Sequence, residues 1–137
     1  MKKLFGVFIC LFFSVILAAC GGGSSPEAAA KKYVQAVYNG DADTVISMIY
    51  MEEKDKKDAD LHNLLSGKIK EGVTRSKKMA DKNGGISNIA VEEPKYEQDK
   101  NSANVVVKVQ FKNLENPTII ELHLVKTNDG WMVSQRF

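Results

Sequence analysis

The sequence predicts an α+β fold in which helices come first and an antiparallel sheet follows. Three observations carry that expectation. Between residues 26 and 83 the apolar residues recur at three- and four-residue steps, whereas after Gly85 they alternate. The connectors between the alternating segments are short, which suits hairpins and not helical crossovers. No strand–helix–strand alternation interrupts either half.

Each element has its own local signals. Ser24 or Ser25 can cap a first helix, Pro26 suits its first position, and Glu27 complements the positive end of the helix dipole. Ala30, Tyr33, Val34, Val37 and Tyr38 form one stripe, and Asn39-Gly40 stops it. Asp41 or Asp43 can cap a second, shorter helix carrying Val45, Ile46, Met48, Ile49 and Tyr50. A third helical series, Leu61, Leu64, Leu65, Ile69, Val73, Met79 and Ala80, ends at Asn83-Gly84-Gly85, a left-handed cap. Ile86 to Tyr96 then reads as one strand, with Pro94 placing it at an edge or a bulge. Ala103, Val105, Val107, Val109 and Phe111 alternate with polar residues, and only Val106 departs from the pattern. Ile120, Leu122 and Leu124 alternate with Glu121, His123 and Val125. Asn128-Asp129-Gly130 is a hairpin signal leading into a last strand from Trp131. The expected sheet is a four-stranded meander.

The N-terminus carries a different kind of information. Lys2 and Lys3 precede an apolar run from Leu4 to Leu17, at the short limit for a bilayer span of about 20 residues. A cationic start, an apolar run and small residues describe a secretory leader. Leu17-Ala18-Ala19-Cys20 is similar to a bacterial lipobox, with cleavage between Ala19 and Cys20 and diacylation of the Cys20 sulfur by palmitate-type chains. The expected organisation is a leader over 1–19, a lipidated Cys20 with a flexible Gly/Ser tether over 20–25, and one domain over 26–137. One acyl chain anchors a protein only marginally, and two or three hold it stably. Gly21 is not an aspartate, which points to the outer membrane in a Gram-negative envelope, facing the periplasm or the surface. In a Gram-positive cell the expected place is the outer face of the plasma membrane.

Removing the leader changes the electrostatics. The whole chain has 19 basic and 17 acidic residues, and the leader holds two of the bases, so the exported part is formally neutral. No basic field for nucleic acid remains. Cys10 leaves with the leader and Cys20 is acylated, so the domain has neither thiol nor disulfide and must rely on its core.

Pro26-Glu-Ala, Tyr33-Val, Ala36-Val37-Tyr38-Asn-Gly40-Asp41 and the closing Gly130-Trp131 strand together resemble a family of small bacterial lipoproteins of unassigned function. That resemblance implies a nuclear transport factor 2-like (cystatin-like) domain: helices packed on a curved sheet to form a cone. It also implies a homodimer through the sheets as a candidate assembly. Enzymes of that fold place an aspartate, histidine or tyrosine inside the cone for acid–base work.

The candidate sites follow. The inward strand positions are apolar, His123 shares a face with Glu121 and is expected to be exposed, and His62 reads as a boundary residue, so no catalytic residue is assigned. Tyr33, Tyr38 and Tyr50 are candidates for lining a pocket. Arg75, Lys77, Lys78 and Lys82 are candidates for touching anionic lipid headgroups, against a plainer reading as a solvated helix face. Glu52–Lys56, Glu53–Lys57 and Glu71–Arg75 have the spacing of helical ion pairs. Asp41, Asp43 and the aspartates of 55–60 lack the glycine and terminal glutamate of a calcium loop, so neither a metal nor a cofactor is expected. The function that results is a membrane-anchored, non-enzymatic binding or interaction module for an unidentified protein or small molecule. An acid–base enzyme acting on a small apolar substrate, or a scaffold of an envelope complex, are the alternatives.

Overall fold

A computed structural model describes residues 22–135; the expected leader over 1–19, Cys10, Cys20 and the expected cleavage point lie outside them. Among the described residues four helices precede five strands: α1 Pro26–Asn39, α2 Ala42–Met48, α3 Glu53–Lys56, α4 Ala59–Lys82, β1 Ile86–Val91, β2 Lys95–Tyr96, β3 Ser102–Phe111, β4 Thr118–Thr127 and β5 Gly130–Val133.

The helix ends are set by side chains and glycine. Ser25 accepts from the Ala28 amide (3.1 Å), Asp41 from Thr44 (3.1 Å) and Asp58 from Leu61 (3.0 Å), each satisfying an amide that has no partner within its helix. Gly40 closes α1 at φ 79°, and Gly84 and Gly85 follow α4 at 81° and 82°, where a side chain would be strained. The one-turn α3 was not expected. It occupies the charged stretch that the sequence suggests for longer ion pairs. Because it is only one turn long, Glu52 pairs with Lys54 (3.0 Å) and Glu53 with Lys56 (2.8 Å), in place of Glu52–Lys56 and Glu53–Lys57.

The sheet is curled and fully antiparallel, in the order β1-β3-β4-β5, with β2 also on β3. The single strand expected over Ile86–Tyr96 is split by the buried Pro94: β1 pairs with the second half of β3 and β2 with its start, Lys95 opposite Asn104. Proline cannot donate to the ladder, so the strand breaks there. The register shift falls instead between Ile86 and Asn88.

The core has two layers. Ala103, Val105, Val107, Val109 and Phe111 are all fully buried and meet Ala29, Ala30, Val34 and Tyr38 of α1, with Leu122, Leu124, Trp131 and Val133 completing the layer. Each buried valine or leucine among them contributes about 1.5–3 kcal/mol through burial. Tyr38 meets Phe111 edge to face at 5.1 Å. On the other side of α1, Ala36 packs with Val45 of α2 and Val73 of α4 in a smaller cluster. Helix α4 therefore rests on α1 and α2, which separate much of its length from the sheet.

The outer edge of β5 is covered twice. Gly23 pairs with Trp131 through two hydrogen bonds (3.1 and 2.9 Å), and the Tyr50 amide donates to the Val133 carbonyl (2.7 Å). Capping an edge in this way removes a row of open backbone groups. Gly22 is buried, a side chain there would collide with the Asp129 carbonyl, and a Cβ on Gly23 would lie 2.6 Å from the Ala29 backbone. Residues 22 and 23 are thus docked by tight packing, whereas composition alone suggests a flexible tether over 20–25. Glycine is needed here for close approach, not for freedom of motion.

Candidate functional site

The apolar series of α4 is longer than the surface available to cover it. Ala80 reaches the main core and Val73 the smaller cluster, but Leu64 remains 57% exposed. The N-terminal half of the helix therefore stands off from the body and walls a cleft. Two cavities make it up. One, about 310 Å³, lies among Ile46, Ile49, Tyr50, Leu61, Leu65 and Ile69, with Glu52, Asp55, His62, Ser66 and Ser134 also on its boundary. The other, about 400 Å³, lies among Tyr33, Val37, Val45, Val73 and Gly72, with Lys68 and Ser76 at its rim. Leu65, Ile69 and Gln135 border both, so the two lie side by side. These volumes fall in the range of small-ligand pockets, about 300–1,000 Å³.

The three tyrosines separate. Tyr33 lines the second cavity and bonds the Gln135 side chain; burial raises its phenol above the ordinary value of 10.0, and that hydrogen bond partly offsets the rise. Tyr50 is 42% exposed at the rim of the first cavity. Tyr38 lies in the main core against Phe111, and burial likewise raises its phenol.

The basic candidates are spread along the last two turns of α4. Arg75 pairs with Glu71 (3.1 Å) and Lys77 with Asp81 (2.7 Å), each four residues away, while Lys78 and Lys82 are exposed. The Lys77 stem also runs over Gly40. His123 differs from expectation. Its side chain is only 12% exposed, because the register places it opposite Asn104, whose side-chain oxygen lies 2.9 Å from Nδ1, with Glu97 at 3.8 Å. It faces away from the cone, on the surface shared with Glu121, Lys108 and the exposed Ile119.

Among the described residues no charged side chain is buried, and no three of His, Cys, Asp and Glu converge as a metal site would require. No helix among them is long and apolar enough to cross a membrane. The arrangement supplies an apolar trough with polar groups at its rim. The sequence contains a sign of it, in that Leu61, Leu64 and Leu65 form an apolar cluster at a helix start otherwise rich in charge. It does not show that α2 and α1 leave that cluster uncovered, nor that Gln135 reaches it.

Known proteins locate the domain within a family. No curated protein matches the chain. A crystal structure from Campylobacter jejuni, of a protein provisionally named an NTF2-like transpeptidase, is similar at 29% identity with a TM-score of 0.72, over 82% of this chain and all of the other. The α+β arrangement of helices and a curled antiparallel sheet is thus an NTF2-like fold. Residues 18–134 match the family described as domain of unknown function DUF4878, and with nearly the whole chain covered, this protein belongs to that family.

Proposed function

We propose that this protein is a lipid-anchored envelope protein whose cleft is a non-enzymatic binding site for a small, mostly apolar ligand. The observation that carries the reading is the wall of the cleft: Ile46, Ile49, Leu61, Leu65, Ile69, Val37 and Val45 surround it, and its charged neighbours stand at the rim. Apolar walls with a few polar groups at the margin suit a ligand held by burial and oriented by its polar end. The anchor half of the reading is supported by the order of Lys2-Lys3, the apolar run and Leu17-Ala18-Ala19-Cys20.

A second reading, an acid–base or acyl-transfer enzyme, has one specific observation in its favour. Asp55, His62, Ser66 and Ser134 border a single cavity, with His62 and Ser66 one turn apart on α4. The name of the Campylobacter protein points the same way. Against it, no side-chain hydrogen bond among the described residues links His62 to Ser66 or Asp55, and His62 is exposed. A base that activates a hydroxyl needs to lie within hydrogen-bond reach of it.

Two measurements test the proposal. Metabolic labelling with a radioactive fatty acid should mark the wild-type protein, and Cys20→Ser should lose both label and membrane retention; a Cys20→Ser protein that still sediments with membranes refutes the anchor. Titration with anilinonaphthalene sulfonate should give saturable fluorescence that Ile69→Glu reduces by about tenfold in affinity, the cost of a carboxylate in an apolar wall. Binding unchanged by Ile69→Glu, with the fold intact by circular dichroism, would place the ligand elsewhere.

A further inference from the structure

The cleft and the expected anchor meet on one edge of the sheet. Gly23 is bridged to Trp131, while Ile49 and Tyr50 join the same edge at Val133. These two stations are two residues apart on one strand, about 7 Å. Ile49, Tyr50 and Met51 are also the lip of the first cavity. A smaller hollow of about 150 Å³ is bordered by both, with Tyr50 and Met51 from the lip and Asn128 and Asp129 from the turn before β5. Asp129 is the residue whose carbonyl presses on Gly22. The lip of the cleft and the point where the chain enters the domain are therefore neighbours.

Chain length turns that adjacency into a constraint. One residue, Gly21, stands between Cys20 and the docked Gly22. At about 3.3–3.6 Å per extended residue, a lipid on Cys20 lies within about 10 Å of Gly23. The polar layer on each side of a bilayer is itself about 5–8 Å deep. The lip, about 7 Å further along the edge, is held near the membrane surface. Tyr50, 42% exposed, sits at this lip, and a tyrosine suits the boundary between headgroups and acyl chains.

We propose that the Gly22–Gly23 pair clamps the domain with the lip of its cleft towards the bilayer, and that the ligand of the cleft is an acyl chain of a lipid drawn from that bilayer. This rests on the anchor reading above. The two adjacent cavities between α4 and the α1–α2 pair, about 310 and 400 Å³, offer apolar walls for an acyl chain, and Glu52, Tyr50 and His62 at the lip leave a polar headgroup in contact with water.

The test uses the full lipidated protein in vesicles of phosphatidylcholine and phosphatidylglycerol, doped with a phosphatidylcholine that carries a diazirine in its acyl chain. Irradiation should label the α4 peptide spanning residues 61–73. Inserting about ten Gly/Ser residues after Gly21 gives slack of roughly 17 Å. It should lower that label by about tenfold through the fall in effective concentration, with acylation and retention unchanged. Because the insertion alters no described residue, its result does not depend on a variant fold. Gly23→Pro, which deletes the amide that bonds Trp131, should behave likewise, with a melting curve confirming that it folds. Equal α4 labelling with and without the insertion overturns the clamp, and labelling confined to the outer sheet face overturns the lipid as ligand. Either result leaves the anchor standing, whereas a Cys20→Ser protein that stays on the membrane removes both.

Discussion

Tyr33 and Tyr38 show how one helix gives two chemically similar residues different work. Tyr38 turns into the sheet layer and meets Phe111, while Tyr33 turns towards the cleft and Gln135. Burial favours the neutral phenol of both, so their folded pKa values lie above the unfolded value of 10.0. The stability they contribute is complete below pH 10 and is lost as pH rises through the higher folded values. The denaturation midpoint of the wild type should therefore fall as pH rises above 10, and Tyr33→Phe/Tyr38→Phe should flatten that fall. An alkaline limb identical in the double variant would mean that other groups carry it. Gly22 and Gly23 belong to this scale as well. A Gly/Ser run reads as flexible from composition, and only the neighbouring Asp129 carbonyl and Ala29 backbone reveal that absence of a side chain is what packing requires.

At the scale of elements, α4 is the informative one. Its C-terminal half is fixed by Val73 and Ala80, and its N-terminal half is free on the side where the cleft opens. Gly67 lies mid-helix and exposed, with open space where a Cβ would be. Gly67→Ala should raise unfolding free energy by about 0.5–1 kcal/mol, because alanine loses less backbone entropy in a helix. A urea titration reads this directly, and a destabilised variant would mean that the helix needs the glycine. Both ends of α1, the start of α2 and the end of α4 were legible because caps act within four residues, whereas α2 stops at Met48 and leaves Ile49 and Tyr50, expected on it, outside. The break at Pro94 was visible as a conflict but not as two strands, since both pieces are defined by their pairing with β3. The single turn of α3 was hidden in a charge run with no apolar period.

For the whole molecule, the decisive feature is that α1 is shared between two layers, the sheet on one side and α2 with α4 on the other. Phe111, fully buried and edge to face with Tyr38, ties the strand to that helix. Phe111→Ala should cost about 3–5 kcal/mol and lower the melting temperature in one transition. Two separated transitions would show that the layers unfold independently. The same arrangement limits what the sequence reveals of the site. Leu61 and Leu65 of α4 read as core, and they line a cleft only because α1 and α2 are too short to cover them.

What the sequence by itself determined is the α+β order, the inward stripe Ala103 to Phe111, and the helix stops at Gly40 and Gly84. These rest on periodicity and on backbone conformations open mainly to glycine, both of which are local. Tertiary structure alone decided that Gly22 and Gly23 dock on β5, that His123 is half-buried beside Asn104, and that α4 overhangs a cleft. Each of these depends on which distant segments become neighbours when the sheet curls around α1, and no window of sequence contains that information.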